Sequence, residues 1–145
     1  HAELMFDPQT HTARGVALET VFAGLARALR EARGGLGISG YLLLSFLRHL
    51  SEDEAFATLE AALPLREAYG DLWIGIGLAS SDRGNPPETF ARVYARCAAL
   101  GFRLVEFVRK PELNGYYASF EAVGPRPEPQ AIKPCNMATG KTGTQ

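Results

Sequence analysis

The chain has 145 residues, of which 46% are apolar, 21% charged and 10% aromatic, the make-up of one domain large enough to bury a real core. Fifteen basic against sixteen acidic residues leave a formal charge of −1, without the basic excess that a nucleic-acid or anionic-membrane surface needs. No apolar run reaches the ~20 residues of a membrane span and no signal-peptide pattern opens the sequence, so a cytoplasmic protein with neither nucleic-acid nor membrane partners is expected. It starts at His1 and not at a Met, which reads as a piece of a longer chain.

Residues 2–6 (AELMF) read as a short strand and 7–16 (DPQTHTARGV) as a polar loop. From 17 to 33, Leu18, Val21, Phe22, Leu25, Leu29 and Ala32 recur at three- and four-residue steps, the stripe of an amphipathic helix. Glu19 near its start and Arg27, Arg30 and Arg33 near its end match the helix dipole, and Gly34-Gly35 is expected to stop it. Residues 41–47 (YLLLSFL) form a nearly continuous apolar run of strand length. Ser51 and Glu54 have the spacing of a capping box, ahead of a helix that buries Phe56, Leu59 and Leu63.

Residues 72–78 (LWIGIGL) are the next strand. Asn85-Pro86-Pro87-Glu88 opens a third helix, with Phe90, Val93, Cys97 and Leu100 as its buried face and Gly101 at its end. Residues 102–108 (FRLVEFV) supply a fourth strand. Apolar strands alternating with amphipathic helices mean an α/β fold with a parallel sheet. Two architectures fit: an open doubly wound sheet, or part of a (β/α)8 TIM barrel. A whole barrel takes roughly 250 residues, so about four strands and three helices would be half of one.

The alternation fails after Lys110. Residues 111–123 have room for one weak element, and 124–145 carry almost no large apolar side chain. Such a stretch cannot offset its ordering entropy by burial and is expected to be a disordered C-terminal tail. The division is therefore a barrel-like segment over 1–110 and a divergent tail over 111–145.

Two cysteines do not make a disulfide framework, and Cys97 reads as a buried thiol. Gly75-Ile76-Gly77 follows a strand, but Ser80 stands where a dinucleotide fingerprint needs its third Gly. Gly140-Lys141-Thr142 resembles the end of a P-loop, but Cys135 holds the place of the first Gly. His1, His11 and His49 are scattered, and none lies within four residues of another. Asp7, Arg48 and Asp82 share a different property. Each lies just past the C-terminal end of an expected parallel strand, the edge at which α/β folds build their sites. Asp7-Pro8-Gln9, Arg48-His49 and Ser80-Ser81-Asp82 would converge on one mouth.

The segments FDPQTHTARGV (6–16), FLRHLSEDEAFATLEAALP (46–64) and GIGLASSDRGNPPETFARVYARCAALGFRLV (75–105) resemble the central part of the adenosine deaminase family, and most closely its adenine deaminase-like branch. The resemblance covers about Ala2 to Val105. It implies a partial (β/α)8 barrel from a zinc-dependent hydrolase that removes the 6-amino group of adenine or adenosine, giving hypoxanthine or inosine and ammonia. In that chemistry zinc turns a water into a nucleophile and a Glu protonates the ring nitrogen.

Carried over by position, the resemblance implies a substrate-binding wall of Asp7, Gln9, Arg48, His49, Gly77, Ser80, Ser81 and Asp82, facing a purine base or nucleoside. It also implies losses. The family's His-x-His zinc pair would lie before His1. Its His-Ala-Gly-Glu motif, with a further zinc ligand and the catalytic Glu, falls on Phe107, Val108, Arg109 and Lys110. In the Gly-Leu-Asp-Ser-Ser-Glu loop of the branch, Ala79 replaces the Asp and Asp82 the Glu. No zinc is therefore expected on this chain, although the parent family uses it, and no catalytic residue is assigned. The abrupt end of the likeness resembles a frame change or splice junction, which the encoding DNA read in all three frames would test.

Three functional readings follow. One is a deaminase fragment, inactive alone. Another is a non-catalytic binding or oligomerisation module that self-associates through exposed sheet edges. The last is an unrelated α/β domain. A half-barrel should also strand apolar side chains meant for a barrel interior, with Leu43, Phe46, Trp73 and Ile76 as the candidates.

Overall fold

The apolar runs form four strands that lie side by side in sequence order: β1 (Ala2–Phe6), β2 (Gly40–Leu47), β3 (Trp73–Ala79) and β4 (Arg103–Lys110). Each pairs parallel with the next. A fifth, β5 (Gly115–Ser119), pairs antiparallel with β4. The structure is a computed structural model that describes residues 1–110 and 115–119. The weak element expected within 111–123 is β5, and the tail from 124 onward lies outside the described residues.

Between the strands run α1 (Pro8–Thr12), α2 (Leu18–Leu36), α3 (Glu52–Ala62), α4 (Arg66–Tyr69) and α5 (Ala91–Ala99). One continuous core joins Phe22, Ala26 and Leu29 of α2, Ala55, Leu59 and Ala62 of α3, and Val93 and Cys97 of α5 to Leu42, Leu44, Phe46, Trp73, Ile76 and Leu78 of the sheet. The long helices therefore pack on one face. That placement, with strands in sequential order, decides between the two expected architectures. A doubly wound sheet divides its helices between both faces, whereas a barrel keeps them all outside. The chain is a four-stranded arc of the barrel type.

Aromatic contacts fix the centre of this core. Phe22 meets Phe6 edge-on at 5.2 Å, stacks on Tyr69 at 5.7 Å and meets Trp73 at 5.2 Å. Trp73 also lies 4.5 Å from Phe102 and donates its indole N–H to the Gly75 carbonyl at 3.0 Å, so its one polar atom is satisfied. Arg66 lies 4.4 Å over the Phe102 ring and donates to the Leu100 carbonyl, fastening α4 to the entry of β4.

Several expectations are corrected. Phe46, Trp73 and Ile76 are not a stranded barrel interior. They are 0%, 1% and 0% exposed, inside the helix–sheet core. A register shift between Leu42 and Leu43, where the next partner after Trp73 is Gly75, moves the alternation of β3 by one residue. Leu43 does belong to the other face, but it is buried over Gly75.

The polar loop after β1 contains α1, started by Pro8 at its first position. The Gly34-Gly35 pair does not end α2. The helix runs to Leu36, and Gly37 closes it in the left-handed conformation at φ 67°. The third helix opens with a 3-10 turn over Pro87–Phe90 before α5. Its expected end is in place, with Gly101 at φ 81°. The edge of β4 is occupied by β5, not open.

Candidate functional site

The face of the sheet away from the helices carries small residues where the strands crowd. A Cβ on Gly77 would lie 2.8 Å from Met5 Cε, 3.1 Å from Ser45 Oγ and 3.2 Å from the Val105 carbonyl. Met5, Ser45, Gly77 and Val105 thus meet on that face, and glycine is what lets the strands curve together there. Ser45 Oγ is fully buried without a hydrogen-bond partner among the described residues. The sequence reading passed over it as one polar residue within an apolar run.

At the C-terminal ends of β1, β2 and β3, six of the expected residues fall into two groups. Gln9 and Arg48 are buried ties. Gln9 is 7% exposed, and its side-chain carbonyl accepts the Leu47 amide at 2.8 Å, which holds α1 against the end of β2. Arg48 is 4% exposed and donates from Nε to the Asn85 carbonyl at 2.8 Å. Its amide extends the β2–β3 ladder by donating to the Ala79 carbonyl. Asn85 in turn donates from its side chain to the Ser81 carbonyl at 3.1 Å. Arg48 therefore anchors the loop that carries Ser80, Ser81 and Asp82. Asn85 was missed as a loop organiser; its place ahead of two prolines marked it only as a helix start.

The second group faces solvent. His49, Ser80, Ser81 and Asp82 are exposed. His49 Nδ1 lies 2.7 Å from Ser80 Oγ, so the loops after β2 and β3 touch at the mouth. Ser80 has φ 80°, the one positive value on a non-glycine residue among those described. Such backbone costs of order 1 kcal/mol or more and collects at functional loops. Asp7, half-buried, receives a hydrogen bond from the Thr10 hydroxyl.

The Ser51 amide and hydroxyl hold the Glu54 carboxyl below its ordinary value, through the capping box foreseen from the sequence. Two hydroxyls, an imidazole and a carboxylate at one edge can bond the nitrogen-rich rim of a flat heterocycle.

Among the described residues the donor set does not fit a hydrolytic metal. His1 Nδ1 lies 2.8 Å from Ser39 Oγ, His11 Nδ1 accepts from Arg14 at 3.2 Å, and His49 is engaged with Ser80. No three His, Cys, Asp or Glu side chains converge among the described residues. The last four positions of β4, at the same sheet edge, are Phe107, Val108, Arg109 and Lys110.

A family model described as adenosine deaminase matches residues 1–108. The chain is 64% identical over 105 residues to the adenine deaminase of Geotalea uraniireducens, a match covering 72% of this chain and 28% of that protein. The adenine deaminase of Rhodospirillum rubrum is also 64% identical over 105 residues, covering 72% and 30%.

Among solved structures, it resembles the adenine deaminase of Arthrobacter aurescens with a TM-score of 0.67 and 45% identity, over 73% of this chain and 31% of that one. It also resembles an amidohydrolase from Burkholderia ambifaria with bound Zn, at a TM-score of 0.63 and 30% identity over 73% and 29%. The chain thus spans under a third of the length of these relatives.

Proposed function

The chain belongs to the adenosine deaminase family, and from that premise we propose that it is the purine-facing arc of an adenine deaminase barrel, unable to complete the hydrolysis alone. The reaction would be replacement of the 6-amino group of adenine by water, releasing hypoxanthine and ammonia. Adenine is favoured over adenosine by the names of the relatives at 64% identity. The observation that carries the reading is the 2.7 Å contact of His49 with Ser80, which brings two strand-end loops to one exposed polar edge.

In this reading Ser80, Ser81, Asp82 and His49 hydrogen-bond the rim of the base. Asp7 borders the mouth, and Gly77 leaves room for the curved strand beneath. Gln9 and Arg48 act as positioning residues through Leu47 and Asn85. The amidohydrolase relative holds Zn, and the side chains described in this chain supply no set of ligands for one. No step of the chemistry is assigned to these residues, and binding of a purine by the arc alone would be weak.

A chimera tests the reading. Residues 1–105 replace the matching segment of the Rhodospirillum rubrum enzyme. The expected chimera folds and deaminates adenine slowly, and Ala79→Asp with Asp82→Glu raises kcat/KM by about tenfold or more, the scale of one good transition-state contact. A folded chimera that prefers another substrate class would overturn the proposal.

One observation favours the second reading, a non-catalytic module. In a closed barrel a parallel strand lies beside β4, whereas here β5 lies there antiparallel. A chimera carrying residues 1–119 that still closes its barrel would rule this out.

A further inference from the structure

We propose that the outward face of α2 is a self-recognition surface, pairing antiparallel with α2 of a second copy. The inference rests on the fold and not on the purine chemistry. Phe22, Ala26 and Leu29 turn one side of α2 into the core. Arg30 marks one flank, where it donates to the Ala68 carbonyl and to Asp71 and lies 5.9 Å over the Tyr69 ring. Helical spacing puts Val21, Leu25 and Ala32 on the other flank, and Thr20, Gly24, Arg27 and Glu31 on the side away from the core. These last four are all exposed. Helices form the outer ring of a barrel, so this side faces outward in an arc and in a closed ring alike.

Charge selects a second copy as the occupant, and it also selects the register. Arg27 and Glu31 lie 3.9 Å apart at the middle of the face, with side chains 78% and 73% exposed. An antiparallel copy centred at the level of Leu29 sets Arg27 level with Glu31 of the second copy, and Glu31 level with its Arg27. Four charges of alternating sign then close into one ring. Centring the copy on Arg27 or on Glu31, or running the helices parallel, sets like charges level instead, which costs affinity.

Glycine sets how closely the copies approach. In the same register Ala23 and Gly24 lie level with Gly34 and Gly35 of the second copy. A Cβ at Gly24, Gly34 or Gly35 would meet nothing within 4 Å, whereas one at Gly40 or Gly75 would press on Leu29 or Leu43. Packing among the described residues therefore does not call for the three glycines of α2, and each costs helix stability relative to alanine. A second helix does call for them, because small residues at both ends of the seam let two backbones come close. Two shallow grooves along this face share Ala23 and Arg27, and give room for the longer side chains of the second copy. The contact is isologous and closes on itself, so it gives a dimer and not a fibre. With one helix face from each copy it is a small interface, of the weak and exchanging kind.

Sedimentation equilibrium of the whole chain over a wide concentration range tests this. The expected result is an equilibrium between 15.7 kDa and twice that mass. Arg27→Glu and Glu31→Arg should each weaken it by roughly tenfold or more, because each sets like charges level across the seam. An equimolar mixture of these two variants should restore it, since every pair across the seam is then of opposite sign. Arg33→Glu, the same change of charge on another side of α2, should leave it unchanged. Gly24→Leu should weaken association while raising the thermal midpoint of the dilute chain, because leucine is the better helix former and its site is open. A folded chain monomeric at every concentration would overturn the proposal. So would a dimer indifferent to Arg27→Glu or to Gly24→Leu, or a mixture that associates no better than its two components. Each of these results leaves the purine reading untouched.

Discussion

Gly77 shows how little space one residue leaves at the centre of the arc. An alanine there would press on Met5 Cε, which can swing away, and on the Val105 carbonyl at 3.2 Å, which cannot. Gly77→Ala is expected to cost about 1–3 kcal/mol, the usual range for overpacking, read as a lower midpoint in a denaturant melt followed by Trp73 emission. Cys97 is the opposite kind of residue, inert because it is enclosed. Burial pushes its thiol up to about 12, against the opposing pull of the nearby Arg96 charge. In a Cys135→Ser background the native chain should react with a thiol reagent far more slowly than the unfolded chain. Equal rates would mean that this face of α5 is open. The burial of Cys97 was legible from its place on the apolar stripe of a helix. The lone hydroxyl of Ser45 was not, because only pairing of β2 with β3 shows which face it occupies.

At the scale of elements, α3 and α5 are joined by a carboxylate that serves both. Glu52 in the first turn of α3 accepts the Val93 amide in the first turn of α5 at 3.0 Å, and it also accepts from Arg92 at 2.6 Å. Burial by itself raises the Glu52 carboxyl. The Val93 bond and the Arg92 guanidinium outweigh it, and the net result lies below the ordinary 4.5. A carboxyl lowered by folding stabilises the fold only while ionised. Its contribution is complete above that ordinary value and is lost as pH falls through the folded-state value. Thermal stability should therefore decline below about pH 4.5, and more gently in Glu52→Gln, whose stability at neutral pH is already reduced. An identical acid limb in both proteins would contradict this role. The sequence named the capping box at Ser51 correctly, since it is a local pattern four residues long. It could not show Glu52 reaching another helix, because that contact depends on how two crossovers pack. It misplaced the end of α2 for a related reason: glycines inside a long, packed helix stay helical, and only Gly37 takes the left-handed turn.

For the whole molecule, strands alternating with helices were legible as an α/β fold with a parallel sheet, because period and spacing suffice for that, whereas the packing of the long helices on one face was not, since an open doubly wound sheet fitted the same pattern. The residues on the two faces of the sheet were not legible either, because a single register shift between Leu42 and Leu43 exchanges the surfaces of β3. The mouth was legible as a set of strand-end loops. Its internal division was not: Gln9 and Arg48 turn inward as ties, while His49, Ser80, Ser81 and Asp82 remain outside. The central claim is that these residues make a wall for a base without the means to hydrolyse it. The most direct test is to incubate the purified 145-residue chain with adenine and one equivalent of zinc, following adenine absorbance and protein-bound metal together. The expected result is unchanged absorbance and no zinc retained after gel filtration. Steady conversion to hypoxanthine, with one zinc held per chain, would contradict it.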